Sequence, residues 1–189
     1  MKHQGTVVLT TERLTLRPIT QDDAQAMFDT WAGDARVTKY LTWGPHKTAE
    51  VTARVVAEWV KCYEQADFYQ WVLDLDGKIL GAISVVRLDE RSNVAELGYC
   101  MGVAAWNQGF MTEAARAVIE FLFNEVGANR IVIEHAVKNP ASGRVAEKCG
   151  MTYEGTKREA FLSAWGEYLD IAVWSLLKRD RTTPAKGSE

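Results

Sequence analysis

The stretch Val103 to Ala115, VAAWNQGFMTEAA, limits what this chain can become more than any other. It follows a strand-like run, Ala95 to Met101, in which Leu97, Tyr99 and Met101 share one face. It opens an apolar-periodic helix carrying Ala114, Ala115, Val118, Phe121 and Leu122. The N–H groups of a helix's first turn have no partner inside the helix, and the macrodipole adds partial positive charge there. This turn therefore suits an anion such as pyrophosphate. Gly109 leaves room for close backbone approach.

The flanking patterns build a mixed sheet around that turn. Arg13 to Ile19 alternates Leu14, Leu16 and Ile19 with polar neighbours, a short first strand. Gln21-Asp22-Asp23 ahead of Ala24, Met27, Phe28 and Trp31 marks a helix that Gly33 ends, and a short helix and a loop with a Gly44-Pro45 turn follow. Lys47 to Ala66 reads as the longest helix, with Val51, Val55, Trp59 and Tyr63 repeating every four residues and Thr48 with Glu50 at its cap. Phe68 to Leu75 and Lys78 to Arg87 form a hairpin about Asp76-Gly77, and a turn at Asp89 to Asn93 leads to the central strand. After the loop helix, which closes over Asn124 to Asn129, Arg130 to Ala136 is a β-branched strand. Asn139-Pro140-Ala141-Ser142 opens a helix that stops at Gly150. Thr152 to Arg158 and Glu167 to Leu177 read as two strands joined by AFLSAWG. The expected class is α+β in three layers: a mixed, mostly antiparallel central sheet of about seven strands flanked by helices.

At 189 residues this is one domain, with a core at about residues 10–177 and a polar, frayed tail over 178–189. The net charge of -3 with scattered basic residues argues against nucleic acid as the main partner. Cys62, Cys100 and Cys149 lie far apart and form no zinc-like spacing with His3, His46 or His135, so reduced thiols and no metal are expected. No apolar run reaches transmembrane length and the N-terminus lacks a signal-peptide core, which makes no membrane partner and a cytoplasmic location the expectation.

Trp106 to Ala114, WNQGFMTEA, resembles the acyl-CoA-binding loop of the GNAT superfamily of N-acetyltransferases, in the branch that holds the ribosomal-protein N-terminal acetyltransferases. Three further stretches resemble that branch in the same order: RLTLRP at Arg13 to Pro18, AELGY at Ala95 to Tyr99, and NPASGRVAEKCGM at Asn139 to Met151. The family's core pattern is Gln or Arg, two residues, Gly, one residue, Gly or Ala. Here Asn107 replaces the usual first glycine, Met111 the small residue, and Gln108 stands where a lysine or arginine is common.

The resemblance implies an acyl-CoA N-acyltransferase fold with acetyl-CoA as co-substrate. It implies a sheet that splays after the central strand, so that the backbone of Met101, Gly102 and Val103 meets the pantetheine arm, and a cradle for the pyrophosphate at Gln108, Gly109, Phe110, Met111 and Thr112. Asparagine tolerates positive φ, so Asn107 is compatible with this loop at a small strain cost. Asn139 would bond the pantetheine or shape its pocket, and Ser142 lies where family members place a hydroxyl near the CoA sulfur. Both also suit plain turn and cap positions beside Pro140. Homodimers are common in the branch.

Acyl transfer from a thioester needs a neutral amine, a stabilised oxyanion and a protonated leaving thiolate. An α-amine with a pKa near ~8 is about a tenth neutral at pH 7, whereas a lysine side chain is neutral in only ~4 of 10,000 molecules. An α-amine therefore asks little of a base, and Glu96 on the central strand is the carboxylate best placed to act directly or through water. An exposed or hydrogen-bonded strand carboxylate is the alternative. The oxyanion donor would be a backbone N–H near Gly102 or Val103. Glu113 supports the helix start by charge, Glu134 and His135 read as a satisfied surface pair, and Cys100 as a buried structural cysteine rather than a nucleophile. Trp31, Tyr40, Trp43 and Trp165 are candidate walls of an acceptor cleft. The expected activity is acetyl transfer to a primary amine by direct attack, the acceptor being a protein N-terminus such as that of a ribosomal protein. A small amine (antibiotic, polyamine or amino acid) or a non-catalytic acyl-CoA sensor is the alternative.

Overall fold

Side chains on β-strands alternate between two faces, and here each face finds its own helical cover. The computed structural model describes residues 1–181. In chain order the elements are β1 (Leu9–Thr10), β2 (Thr15–Arg17), α1 (Ala24–Met27), α2 (Ala35–Thr38), α3 (Ala49–Cys62), β3 (Gln70–Leu75), β4 (Lys78–Asp89), β5 (Val94–Met101), α4 (Phe110–Phe121), β6 (Arg130–Ala136), α5 (Pro140–Lys148), β7 (Thr152–Leu162) and β8 (Tyr168–Leu177). The strands form one sheet in the order β1-β2-β3-β4-β5-β6-β8-β7. Among the described residues only β5 and β6 run parallel. A parallel neighbour needs a crossover, and α4 supplies it.

Trp71, Leu73, Ile83, Leu97, Ile131 and Ile133 point to the α4 side, where Ala114, Ala115, Val118 and Leu122 are fully buried. Val72 and Ala82, one residue out of phase, point to the other side with Met27, Trp31 and Val56. Asp76 and Gly77 both take positive φ, 50° and 82°, as the two-residue turn between β3 and β4 requires.

Several boundaries differ from those expected. The eighth strand is β1, two residues paired with Thr15 and Leu16, too short to show periodicity. β7 runs on to Leu162, four residues beyond Arg158, through bulges opposite β8. The first helix passes into a π-helical turn at Phe28–Ala32 before Gly33. In α3 the buried stripe is Thr52 and Val56 with Trp59 and Tyr63 beside them, whereas Val51 and Val55 are only half-buried. Thr52 hides in the core because its hydroxyl meets His46 Nδ1 at 2.8 Å. Thr48 stands at the N-cap of α3 without a side-chain cap bond. The tail does not fray at Lys178: Lys178 N–H donates to Asn129, and Arg181 pairs with Glu120 and lies over Phe123. Residues 182–189 of the expected tail lie outside the described residues.

On the face turned away from α4, the strands from β4 to β7 carry three ion pairs: Arg87–Glu96, Lys157–Glu134 and Arg130–Glu154. Arg130 and then the Ser175 hydroxyl hold the Glu154 carboxyl down at about 2, from an ordinary 4.5. Its folded value lies below its unfolded one, so its contribution to stability is complete above about pH 4.5 and is lost as pH falls towards about 2. Glu154→Gln is expected to flatten this acid limb in melts recorded from about pH 5 to pH 2, by less than about 1 kcal/mol for so exposed a pair. An acid limb identical to that of the parent would show that Arg130 gains nothing from Glu154.

Candidate acyl-CoA site and its family

The site forms where the parallel pair opens. Pairing runs from Val94 with Arg130 to Leu97 with Ile133 and stops, although β5 continues to Met101 and β6 to Ala136. From Gly98 onward β5 therefore presents one free edge, still held on its other side by β4 through Gly81 to Ser84. A free strand edge is a template for an extended amide chain. At its end, Gly102 N–H donates to Leu80 at 2.9 Å, and a Cβ on Gly102 would sit 2.6 Å from the Thr30 carbonyl oxygen. Any side chain there would require Thr30 or the strand end to move.

The loop that follows is braced from within. Trp106 Nε1 donates to the Met101 carbonyl at 2.7 Å, and the Gln108 side-chain amide to the Ala104 carbonyl at 2.8 Å. Asn107 and Gly109 take φ of 61° and 83°, so the positive φ expected at Asn107 is present. Gly109 is the N-cap of α4, which leaves the first-turn amides with no side-chain cap. Phe110 and Met111 bury their side chains in the main core, and Thr112 is also buried, so these three offer backbone rather than side chains at the surface.

Glu113 sits in that first turn but is turned away from the amides. Its carboxylate accepts bonds from Thr11 Oγ1 (2.6 Å), Arg13 N (2.9 Å) and Arg13 Nε (2.7 Å). Burial alone would raise it, and these bonds together hold it below its ordinary value. Arg13 also donates to the Gln108 carbonyl at 3.1 Å and lies over the Phe110 ring, 4.4 Å from its centre. A guanidinium from the turn between β1 and β2 thus stands at the loop, although Gln108 itself carries no charge.

α5 closes the other side of the opening. Proline at its first turn starts the helix after Asn139, whose side chain makes no cap bond. Ser142 is buried, and its Oγ lies 2.9 Å from the Tyr99 hydroxyl on the free length of β5. Tyr99, Ser142, Asn139 and the backbone of Met101, Gly102 and Val103 thus gather at the two lips of the fork. Glu96 does not join them. It lies on the opposite face, opposite Val132 in the closed part of the pair, and its carboxylate takes Arg87 Nε at 2.9 Å and Nη2 at 2.7 Å.

The other candidates separate cleanly. Glu134 and His135 are not a pair: successive residues point to opposite faces, so Glu134 meets Lys157, and His135 meets the Ala136 carbonyl and Trp174 Nε1. Burial pushes the Cys100 thiol up to about 12, which leaves no thiolate for a nucleophilic role. Trp31 is fully buried and walls no cleft. Tyr40 packs on Ala136, Leu169 and Ile171 with Phe161, on the side of the fork away from α5. Trp165 is exposed on the β7–β8 connection, and Ala164 beside it approaches Gly44 of the loop that carries Trp43. Among the described residues no group of three or more His, Cys, Asp or Glu could hold a metal ion, and no helix is long and apolar enough to cross a membrane.

Known proteins match this chain along most of its length. The sequence profile described as Acetyltransferase (GNAT) domain covers residues 13–152. The chain belongs to the GNAT acetyltransferase family. Uncharacterized N-acetyltransferase p20 of Bacillus licheniformis is 30% identical over 175 residues, 91% of this chain and 97% of that protein. The ribosomal-protein-serine acetyltransferase of Escherichia coli (strain K12) is 26% identical over 114 residues, 60% of this chain and 64% of that protein. Among solved structures, RimL, a ribosomal-protein α-N-acetyltransferase in complex with coenzyme A, shares the fold with a TM-score of 0.82 at 20% identity, covering 90% of this chain and 98% of its own. The protein is a GNAT N-acetyltransferase.

In this GNAT fold, Arg13, Tyr99 and Trp106 also stand at the candidate site, though the sequence alone does not single them out. Arg13 opens the RLTLRP stretch, but its partner Glu113 is 100 residues away. Tyr99 alternates with core residues, and only the end of strand pairing shows that it lies at the fork.

Proposed function

We propose that this GNAT enzyme carries the acetyl group of acetyl-CoA to the α-amine of a protein N-terminus, of the kind a ribosomal protein presents. The observation that carries the reading is the engagement of Glu96 by Arg87 two residues short of the fork. Two residues span about 7 Å of strand, so this carboxylate reaches the fork only through water. A site with so indirect a base suits an amine of which about a tenth is already neutral at pH 7, as with an α-amine, rather than a lysine side chain, which is almost wholly protonated. The exposed Trp165 and Tyr168 and the apolar Tyr40–Phe161 wall fit a peptide better than a small polycation. The similarity to a ribosomal-protein-serine acetyltransferase points the same way.

In this reading the first-turn amides at Gln108 to Thr112 receive the pyrophosphate, aided by the nearby Arg13, and the free edge of β5 at Met101 to Val103 pairs with the pantetheine. Asn139 shapes the pantetheine pocket. A backbone N–H at Gly102 or Val103 stabilises the oxyanion. Ser142 supplies the hydroxyl beside the sulfur, and Glu96 collects the amine proton through water.

Thiol release from acetyl-CoA, measured against N-terminal peptides of ribosomal proteins, polyamines, aminoglycosides and free amino acids with a no-amine control, tests the acceptor class. Turnover confined to small amines would overturn the peptide reading. Glu96→Gln is expected to lower kcat/KM roughly tenfold at low pH, where the amine is protonated, and only a few-fold at high pH. A ratio flat across pH would remove Glu96 as the proton acceptor.

A further inference from the structure

Two hydroxyls face one another at the fork, and their hydrogen bonding decides where a proton is available. The Tyr99 hydroxyl lies 2.9 Å from Ser142 Oγ and can also donate to the Ser142 carbonyl oxygen at 3.2 Å. It has one proton for these two acceptors. If that proton goes to the carbonyl, the Ser142 hydroxyl turns back to the phenol oxygen. If it goes to Oγ, the Ser142 proton is free to point into the fork. The carbonyl does not depend on Tyr99, because it lies in α5 where the helix supplies its own N–H donors. Tyr99 itself stands on the part of β5 that has lost its β6 partner, one residue past Gly98.

From this geometry we propose that Tyr99 is a positioning residue that aims the Ser142 hydroxyl proton at the departing sulfur of CoA. The proposal rests on the reading of Ser142 given above. Amine attack forms the C–N bond and moves the carbonyl π pair to oxygen. On collapse the oxyanion pair re-forms the carbonyl, the C–S bond breaks, and its electron pair goes to sulfur. Ser142 Oγ–H gives its proton to that sulfur, the acceptor nitrogen loses its proton through water to Glu96, and water returns one to the Ser142 oxygen, so the net transfer runs from nitrogen to sulfur and both hydroxyls end as they began. Tyr99 keeps its own proton throughout. Burial raises the phenol well above its ordinary value, which favours a group that directs over one that ionises.

The test is Tyr99→Phe, Ser142→Ala and the double variant, each checked by thermal melt and assayed by thiol release both with the best acceptor and with water alone as the slow acceptor. Departure of the thiolate is common to both reactions. The expected result is that Ser142→Ala lowers kcat about a hundredfold and Tyr99→Phe about tenfold, with KM for acetyl-CoA within about twofold. The double variant should be no slower than Ser142→Ala alone, because the two groups act as one unit. A Tyr99→Phe effect that persists in the Ser142→Ala background, or that falls on KM instead of kcat, would overturn the proposal. A full-rate Tyr99→Phe beside a slow Ser142→Ala would overturn it while leaving Ser142 in place. A full-rate Ser142→Ala would remove both. Failure of the peptide-acceptor reading shows separately, as water hydrolysis that no peptide accelerates.

Discussion

Gly102→Val is expected to destabilise the fold by about 3 kcal/mol or more and to abolish measurable acetyl-CoA binding. The upper end of overpacking costs applies because the added atoms meet backbone. A Cβ at residue 102 would lie 2.6 Å from the Thr30 carbonyl oxygen and 2.6 Å from Thr30 Cγ2. Thr30 cannot retreat freely, since its neighbours Met27 and Trp31 are fully buried. Backbone conformation is not the obstacle: Gly102 has φ of -58°, open to any residue. The strand end must move instead, and with it the free edge of β5. Gly77→Ala is the matched control. It has φ of 82° and nothing within 4 Å of a Cβ, so it should cost only about 1–2 kcal/mol of backbone strain and leave binding intact. Thermal melts and calorimetric titration with acetyl-CoA read both effects. A drop of roughly 6 °C or more is expected for Gly102→Val in a chain of this size. A variant that melts within a degree of the parent would show that the π-helical turn yields, and that close approach is no requirement of the site.

Arg13→Ala is expected to cost about 2 kcal/mol of stability and to weaken acetyl-CoA binding about tenfold. Its guanidinium is partly exposed and Glu113 is largely buried, so the loss should fall between the small value of a surface pair and the 3–5 kcal/mol of a broken buried one. Removing Arg13 leaves the Glu113 carboxylate with Thr11 and the Arg13 main chain as its partners, frees the Gln108 carbonyl and uncovers the Phe110 ring. Each change loosens the turn that leads into α4. Arg13→Lys should fall between the two proteins, because a lysine keeps the charge but cannot fork between Glu113 and Gln108. Titration with acetyl-CoA decides the matter: an unchanged affinity would assign Arg13 to stability alone.

What could be read from the sequence followed the strength of local signals. The central strand and α4 were legible because Leu97 and Tyr99, then Ala114, Ala115, Val118 and Leu122, repeat at the periods of a strand and a helix. The Asp76-Gly77 turn was legible because few residues accept positive φ twice in succession. The phase of α3 was not, because Thr52 is a polar residue on the buried face and only its contact with His46 explains it. β1 was missed for its two-residue length. The backbone part of the candidate site was visible as a glycine-led turn, whereas its side-chain contacts were not. Arg13 meets Glu113 across 100 residues, Tyr99 meets Ser142 across 43, and Arg87 reaches Glu96 across a bulge between Val85 and Arg87. Such pairs depend on the completed sheet and leave no local trace.

The π-helical turn at Phe28–Ala32 sets the angular phase of everything after it. A wide turn holds one more residue than an α-helical turn of the same rise, and deleting that residue would rotate the following chain by roughly 100° about the helix axis. Trp31 would leave the core, Tyr40 would swing off Ala136, Leu169 and Ile171, and Gly44 would leave its place near Ala164 of the β7–β8 connection. Thr30 would lose its place against Gly102 in the same movement. The turn is thus a gear tooth: one residue meshes the helical layer that carries Trp31 and Tyr40 with the strand end at Gly102, so the proposed acceptor wall and the proposed coenzyme edge are set in register by a single backbone irregularity.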